Sequence, residues 1–316
     1  MSTLKKISEV AKCSISTVSR ALNNCNDVSE ETRENILRIA NDLGYFQRKK
    51  QIKLENRKKN RFNIAILCPE LESSYYSKMI IDITYELSKY DSNSVIYDYS
   101  FNNIQLQELL NACHNDKNID AIVCLDSVVD IPLFDDMPIV AFRGKSHCSS
   151  FFIDYSFGIR EVFESLDEND TIYIVCEDES ISQEIEFTKV AKNYSNIETK
   201  RFFSSKRFEQ AGYDAGEYFI KNNIFPNVII CAYDEIALGL IETLKNNNVK
   251  IPERVSVIGI NDIPTAKFCF GGLSTISYDF KSISEEMIRD LIENLRNSQN
   301  KIYSYSVPTK LIKRKT

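Results

Sequence analysis

The densest run of chemically suggestive residues lies between positions 14 and 23, SISTVSRALN. Ser14, Ser16, Thr17 and Ser19 carry short hydroxyls, Arg20 a guanidinium and Asn23 an amide. At the helical period, Val18, Ala21 and Leu22 form one stripe, leaving Ile15, Ser16, Thr17, Ser19, Arg20 and Asn23 outward. Short hydroxyls approach phosphates or base edges closely, a guanidinium reaches a guanine or a phosphate, and Ile15 can touch a thymine methyl group. Any one of these residues alone is an ordinary exposed polar position. Together on one helical face they have the chemistry of a major-groove reader.

The charge distribution points the same way. Residues 1–61 hold 14 Lys and Arg against 7 Asp and Glu, whereas the remainder holds 25 against 38, within a net charge of −6. A small basic head on an acidic body suggests a polyanion contact at one end only. Charge alone is also compatible with a basic solvated tail.

The elements that must hold this face are helices with clear punctuation. Thr3 is an N-cap candidate before LKKISEVAK, where Leu4, Ile7, Val10 and Ala11 recur at helical spacing. Cys13-Ser14 breaks the pattern, and Ser14 can cap the helix that carries the outward face. Ser29 starts a third helix with Glu31 and Thr32 in its first turn; Ile36, Leu37, Ala40 and Leu43 form its apolar face, and Gly44 closes it. Two short helices with a tight break, followed by a third, describe a helix-turn-helix unit over residues 1–46.

From Phe62 onward short apolar runs alternate with amphipathic helices. Strands are expected at 63–68, 93–99, 120–125 and 138–142, with helices centred near 83, 109 and 161. The cycle resumes with strands at 171–176, 197–203, 227–231 and 254–260. That is α/β with parallel sheets, and the count exceeds one comfortable sheet, so two lobes are expected. The fold class is therefore a three-helix head plus a bilobed α/β body.

Several function classes are excluded or disfavoured. The chain has no Gly-x-Gly-x-x-Gly and no P-loop, so a nucleotide enzyme lacks its phosphate cradle, and no carboxylate pair has distinctive catalytic spacing. The nine cysteines form no Cys-x-x-Cys pair and the two histidines lack ligand spacing, so neither a disulfide framework, a metal nor a cofactor is expected. No apolar run is long enough to span a membrane, and the N-terminus lacks a secretory h-region; a cytoplasmic, nucleoid-associated protein is expected.

The segment TLKKISEVAKCSISTVSRALNNCNDVSEETRENILRIANDLGY resembles the head of the LacI/GalR family of bacterial regulators, departing from its pattern at Ser8 and Cys13. The resemblance implies that Ile15 and Ser16 are the base-reading pair. Thr17, Ser19, Ser29, Thr32 and Tyr45 would hold phosphates, Arg20 and Asn23 would make further contacts, and Thr3, Leu4 and Ser14 complete the set. Residues 47–61 correspond to the family's hinge, in which Leu54 matches a minor-groove wedge that kinks the duplex by unstacking a base step. A stray apolar residue in a charged linker is the alternative for Leu54.

The body resembles the family's periplasmic-binding-protein-like sensor at AYDEIALG, PERVSVIGINDI, GLSTISYDF and VPTKLIKRKT. Three shorter segments, SSYYSK, GINDIPTAKF and PTKLIKR, resemble its evolved β-galactosidase repressor branch. The resemblance implies an N-lobe of about 62–157 plus 278–297 and a C-lobe of about 158–277 plus 300–316. A small effector, a sugar such as a galactoside, would sit in the cleft between lobes. Tyr75, Tyr76, Asp126, Arg143, Asp154, Asp234, Asn261, Asp262, Tyr278 and Phe280 match its pocket or rim. Asp234 and Asp262 have the alternative of capping a helix and a turn. Two departures stand out. The Arg expected after TIYIVC is absent from EDESISQEIEF, with Gln183 near its place, and Tyr233 replaces a small or amide residue. The implied partners are palindromic double-stranded operator DNA, the effector and a second copy of the chain in a homodimer, with no membrane. Two rivals stay open: a regulator of this kind whose sensor takes no sugar, and a carbohydrate-binding protein without DNA function.

Overall fold

The computed structural model describes residues 3–22, 28–43, 45, 61–126, 131–132, 134, 136–144, 147–177, 181–297 and 301–316. The head comprises α1 (Thr3–Ala11), α2 (Ile15–Leu22) and α3 (Glu30–Asp42). Ile7, Val18, Ala21, Val28, Ile36 and Ala40 are its buried core, with Leu4, Ala11, Leu22, Ile39, Leu43 and Tyr45 packed against it. Each large apolar side chain so buried contributes roughly 1.5–3 kcal/mol.

Three expectations for the head need correction. Helix α1 starts at Thr3 itself, so Thr3 does not precede it as a cap. Val10 and Leu37 are exposed, at 56% and 37%. Successive helical residues turn by about 100°, which places Val10 well to one side of the Leu4–Ile7–Ala11 line. The same turn brings Ser8 onto the buried face. On α3 the inward line is Ile36, Ile39, Ala40 and Leu43, and Leu37 falls beside it. The expected closing residue Gly44 and the hinge 47–60 lie outside the described residues.

Beyond the head the chain forms two six-stranded sheets. The first uses β1 (Asn63–Cys68), β2 (Asn93–Asp98), β3 (Ala121–Cys124), β4 (Ile139–Phe142), β5 (Ser149–Asp154) and β11 (Ser304–Pro308), in the order β11-β5-β4-β3-β1-β2. The second uses β6 (Thr171–Cys176), β7 (Glu198–Phe203), β8 (Val228–Cys231), β9 (Ser256–Ile260), β10 (Ser274–Ser277) and β12 (Lys310–Ile312), ordered β12-β10-β9-β8-β6-β7. Pairings β1–β2, β1–β3 and β3–β4 are parallel, as are β6–β7, β6–β8, β8–β9 and β9–β10; β12 joins antiparallel. Strands covered on both faces by helices must be apolar throughout, as the buried runs of β1, β3, β6 and β8 are.

The helices are α4 (Ser74–Ser88), α5 (Asn103–Asn115), α6 (Ser156–Phe163), α7 (Ser182–Ala191), α8 (Phe208–Lys221), α9 (Asp234–Asn246) and α10 (Phe280–Asn297). Close α8–α9 packing depends on Gly212 and Gly239. A Cβ on either would stand 2.1 Å from a backbone carbonyl oxygen of the facing helix, Ile236 or Glu209.

The chain divides into two compact units. The first comprises Met1–Glu70, Ile83–Ser150 and Met287–Tyr303; the second comprises Leu71–Asp82, Phe151–Glu286 and Ser304–Thr316. Among the described residues no helix is long and apolar enough to cross a membrane, and no group of His, Cys, Asp and Glu is arranged to hold a metal ion. Six of the eight described cysteines are buried, and all eight are free thiols.

Candidate DNA-reading face and sensor site

In the head, the Ser14 hydroxyl accepts from the Thr17 amide at 3.0 Å, satisfying one of the open donors at the start of α2. It also bonds the Ser16 hydroxyl at 2.6 Å and the Thr17 hydroxyl at 2.7 Å. Val18 and Ala21 face inward, and Ile15, Ser16 and Arg20 are exposed, with Thr17 and Ser19 half-buried. Ser29 caps α3 by accepting from the Thr32 amide at 3.4 Å, and the two hydroxyls lie 2.7 Å apart. Tyr45 packs on the core, and burial raises its phenol pKa. Leu4 is half-buried against the same core. The head therefore carries eight of the expected DNA-facing residues on α1, α2 and α3, with Ser14 and Ser29 just before α2 and α3 and with Tyr45 and Leu4 packed against its core. Asn23 and Leu54 lie outside the described residues.

In the second unit Asp234, which follows β8, is fully buried and bonds to the segment after β9 and to β10. Thr275 donates its hydroxyl to Asp234 Oδ1 at 2.7 Å, and the Ile263 amide donates to Oδ2 at 2.7 Å. Burial pushes the carboxyl pKa up to about 8, against the lowering by these two bonds. Gly259 makes room for it, since a Cβ there would stand 2.1 Å from Asp234 Oδ1. Asp234 is the first residue of α9, and its oxygens tie the loop after β9 to β10. It makes no helix-capping bond.

The tied loop holds the most unusual residue of the unit. Asn261 has φ 106°, a conformation costly for any residue with a Cβ, and is only 6% exposed. Its side-chain oxygen has no hydrogen-bond partner among the described residues. The next residue, Asp262, also has positive φ, and its carboxylate lies 2.6 Å from Arg314, which donates as well to the Leu273 carbonyl.

The reversal of strand order falls between β6 and β8, the position where open α/β sheets place ligands outside their carboxyl ends. Glu177 follows β6, and Tyr233 precedes α9 and is half-buried. Gln183 is buried and donates to the Ala232 carbonyl at 3.4 Å. One residue that sequence reasoning missed joins them. Arg207, at the N-cap of α8, lies 3.6 Å from Glu177 and 4.6 Å over the Phe208 ring.

The remaining expected pocket residues divide between the units. Tyr75 and Tyr76 meet edge-on at 4.9 Å, Tyr278 and Phe280 at 6.4 Å, and Tyr278 is hydrogen-bonded to Tyr75 with its pKa raised by burial. Asp154 is spent on the start of α6, accepting from the Ser156 amide at 3.0 Å. In the first unit, Asp126 and Arg143, each at positive φ at the carboxyl end of its strand, form an ion pair at 3.1 Å.

Known proteins share this layout. Residues 3–47 match the model of bacterial regulatory proteins of the lacI family, and residues 172–316 match that of the periplasmic binding protein-like domain. The transcriptional regulator RegA of Clostridium saccharobutylicum is 24% identical over 99% of this chain and 98% of its own. The chain belongs to the LacI/GalR family of transcriptional regulators. Structures of that family share its fold. The lac repressor dimer bound to operator and an anti-inducer superposes with TM-score 0.66 at 20% identity, covering 100% of this chain and 98% of that one. A complex of the regulator CelR with cellobiose gives 0.65 at 18% identity, covering 100% and 99%.

Proposed function

We propose that this LacI/GalR regulator is a repressor that binds a palindromic operator as a homodimer and that a sugar in the second unit controls its operator affinity. Ile15 and Ser16 read bases, Arg20 extends that contact, and Thr17, Ser19, Ser29, Thr32 and Tyr45 grip phosphates. The observation that carries effector control is Asn261. Strain and an unpartnered buried amide oxygen are expensive, together a few kcal/mol, and they persist at functional sites where a ligand completes the bonding. A hydroxylated ligand fits, because an amide both donates to and accepts from hydroxyls.

Dimer formation is supported by β2, an edge strand of the first sheet that leaves Val95 and Ile96 exposed at 40% and 42%. Tyr85 and Ile81, one turn apart on α4, are more exposed still. Edges of this kind invite pairing. The cellobiose and operator complexes of family relatives agree with both partners.

The test is selection of duplexes from a random pool by the full chain, repeated with both Ile15 and Ser16 replaced. The reading expects a palindromic consensus whose central bases change in the variant. An unchanged consensus, or none, would overturn base reading by this pair.

A further inference from the structure

We infer that Arg314 is a positioning residue of the effector site: its ion pair with Asp262 fixes the backbone that presents Asn261, so the segment after β12 sets effector affinity. This rests on the reading that the second unit binds an effector at Asn261. Asn261 and Asp262 have φ 106° and 49°, so the chain reverses sharply as it leaves β9. Two successive residues with a Cβ hold such a conformation only where their surroundings over-determine it. Before the reversal, the Asn261 amide donates to the Ile276 carbonyl of β10 at 3.0 Å. After it, the Ile263 amide is held by Asp234, and the Asp262 amide donates to the Thr275 hydroxyl oxygen at 3.3 Å. The Asp262 side chain is held by Arg314, 2.6 Å away and 52 positions later in the chain.

Arg314 is itself firmly placed. Its backbone amide donates to the Ser274 hydroxyl oxygen at 3.0 Å, and its Nη1 donates to the Leu273 carbonyl at 2.7 Å. Two residues on, the Thr316 hydroxyl donates to the Val257 carbonyl of β9 and accepts from the Ser274 amide of β10, both at 2.8 Å. The segment thus ties β9, β10 and the residues between them to Asp262. The side chains of the ion pair are only 16% and 13% exposed, so solvent screens it little. Removing the guanidinium leaves a largely buried carboxylate without its cation, a costly state that drives Asp262 towards water and shifts the reversal with it. A displacement of under about 1 Å is enough to break a hydrogen bond from Asn261 to a ligand.

The experiment is calorimetric titration of the full chain with glucose, galactose, lactose and cellobiose, together with hydrogen exchange of the Asp262 and Ile263 amides without sugar. Arg314→Gln is expected to weaken the tightest-binding sugar at least tenfold, Arg314→Lys to recover part of the loss, and Asp262→Asn to match Arg314→Gln. The double variant should be no weaker than either single one, because both act through one contact. Arg201→Gln breaks another ion pair of the same unit, with buried Glu184 at 2.7 Å on the edge strand β7, and should leave sugar affinity unchanged. Wild-type affinity in Arg314→Gln, additive losses in the double variant, or an equal loss in Arg201→Gln would overturn the inference and leave effector control standing. Binding of no sugar by the wild type would overturn the sugar reading alone, and exchange then decides the positioning role. Protection of the Asp262 and Ile263 amides should fall at least tenfold in Arg314→Gln, and unchanged protection would overturn it.

Discussion

Replacing Asp234 by Asn should change how the stability of the second unit depends on pH. The wild-type carboxyl is fully buried and its pKa is raised by burial to about 8, some four units above an ordinary aspartate. The folded chain therefore holds a proton there that the unfolded chain releases near pH 4. Between those two values the folded state binds more protons, so its stability falls as pH rises. The full stabilisation from this group is present below about pH 4 and is lost as pH passes through about 8. The slope approaches about 1.4 kcal/mol per pH unit, so roughly 3 kcal/mol disappears between pH 5 and 7.5 from this group alone. An Asn keeps the geometry: its oxygen can accept from the Ile263 amide while its amino group donates to the Thr275 hydroxyl. Urea unfolding of both proteins at pH 5, 6, 7 and 8, followed by circular dichroism, reads the difference. The variant should lose stability with pH less steeply, by about 1 kcal/mol per unit. Parallel profiles would refute the assignment of this slope to Asp234.

Other perturbations follow from the same geometry. Gly259→Ala places a Cβ 2.1 Å from the Asp234 carboxylate and should cost about 1–3 kcal/mol in thermal or chemical unfolding. Ser29→Ala removes the cap of α3 and should cost about 1 kcal/mol of head stability, with weaker operator binding in a gel-shift titration. Ile96→Lys on the exposed edge of β2 should convert a dimer to a monomer by sedimentation and lower operator affinity, because half-sites would no longer be held in pairs.

Much of this architecture is legible in the sequence because its strands are continuous apolar runs. NIAILC, TIYIVC and the VIIC segment can only be buried strands between helices, and they occur where expected. β10 is not legible in that way. Its sequence STIS is polar, and it is buried because Thr275 bonds Asp234 and Ser274 bonds the Thr316 carbonyl, both partners about 40 residues away. β5, β11 and β12 escape for a related reason, since β5 and β11 lie side by side in the first sheet although about 150 residues separate them in the chain.

The site shows the same division. The outward face of α2 follows from helical spacing alone, since Val18 and Ala21 must be inward. Asp234 suggests either a ligand contact or a helix cap, and only the fold reveals that both its oxygens anchor neighbouring segments. The Arg207–Glu177 pair is invisible in the sequence, because 29 positions separate residues that the parallel β6–β7 pairing brings together. A search confined to the loop after β6 finds carboxylates and a glutamine, and misses the guanidinium.

The most direct test of the account is the affinity of the full chain for its selected operator, measured by fluorescence anisotropy with and without the tightest-binding sugar. Coupling between the two sites of about 1–3 kcal/mol predicts a 5- to 150-fold change in operator Kd, lost in Asn261→Ala. An operator Kd that stays the same at saturating sugar would contradict it.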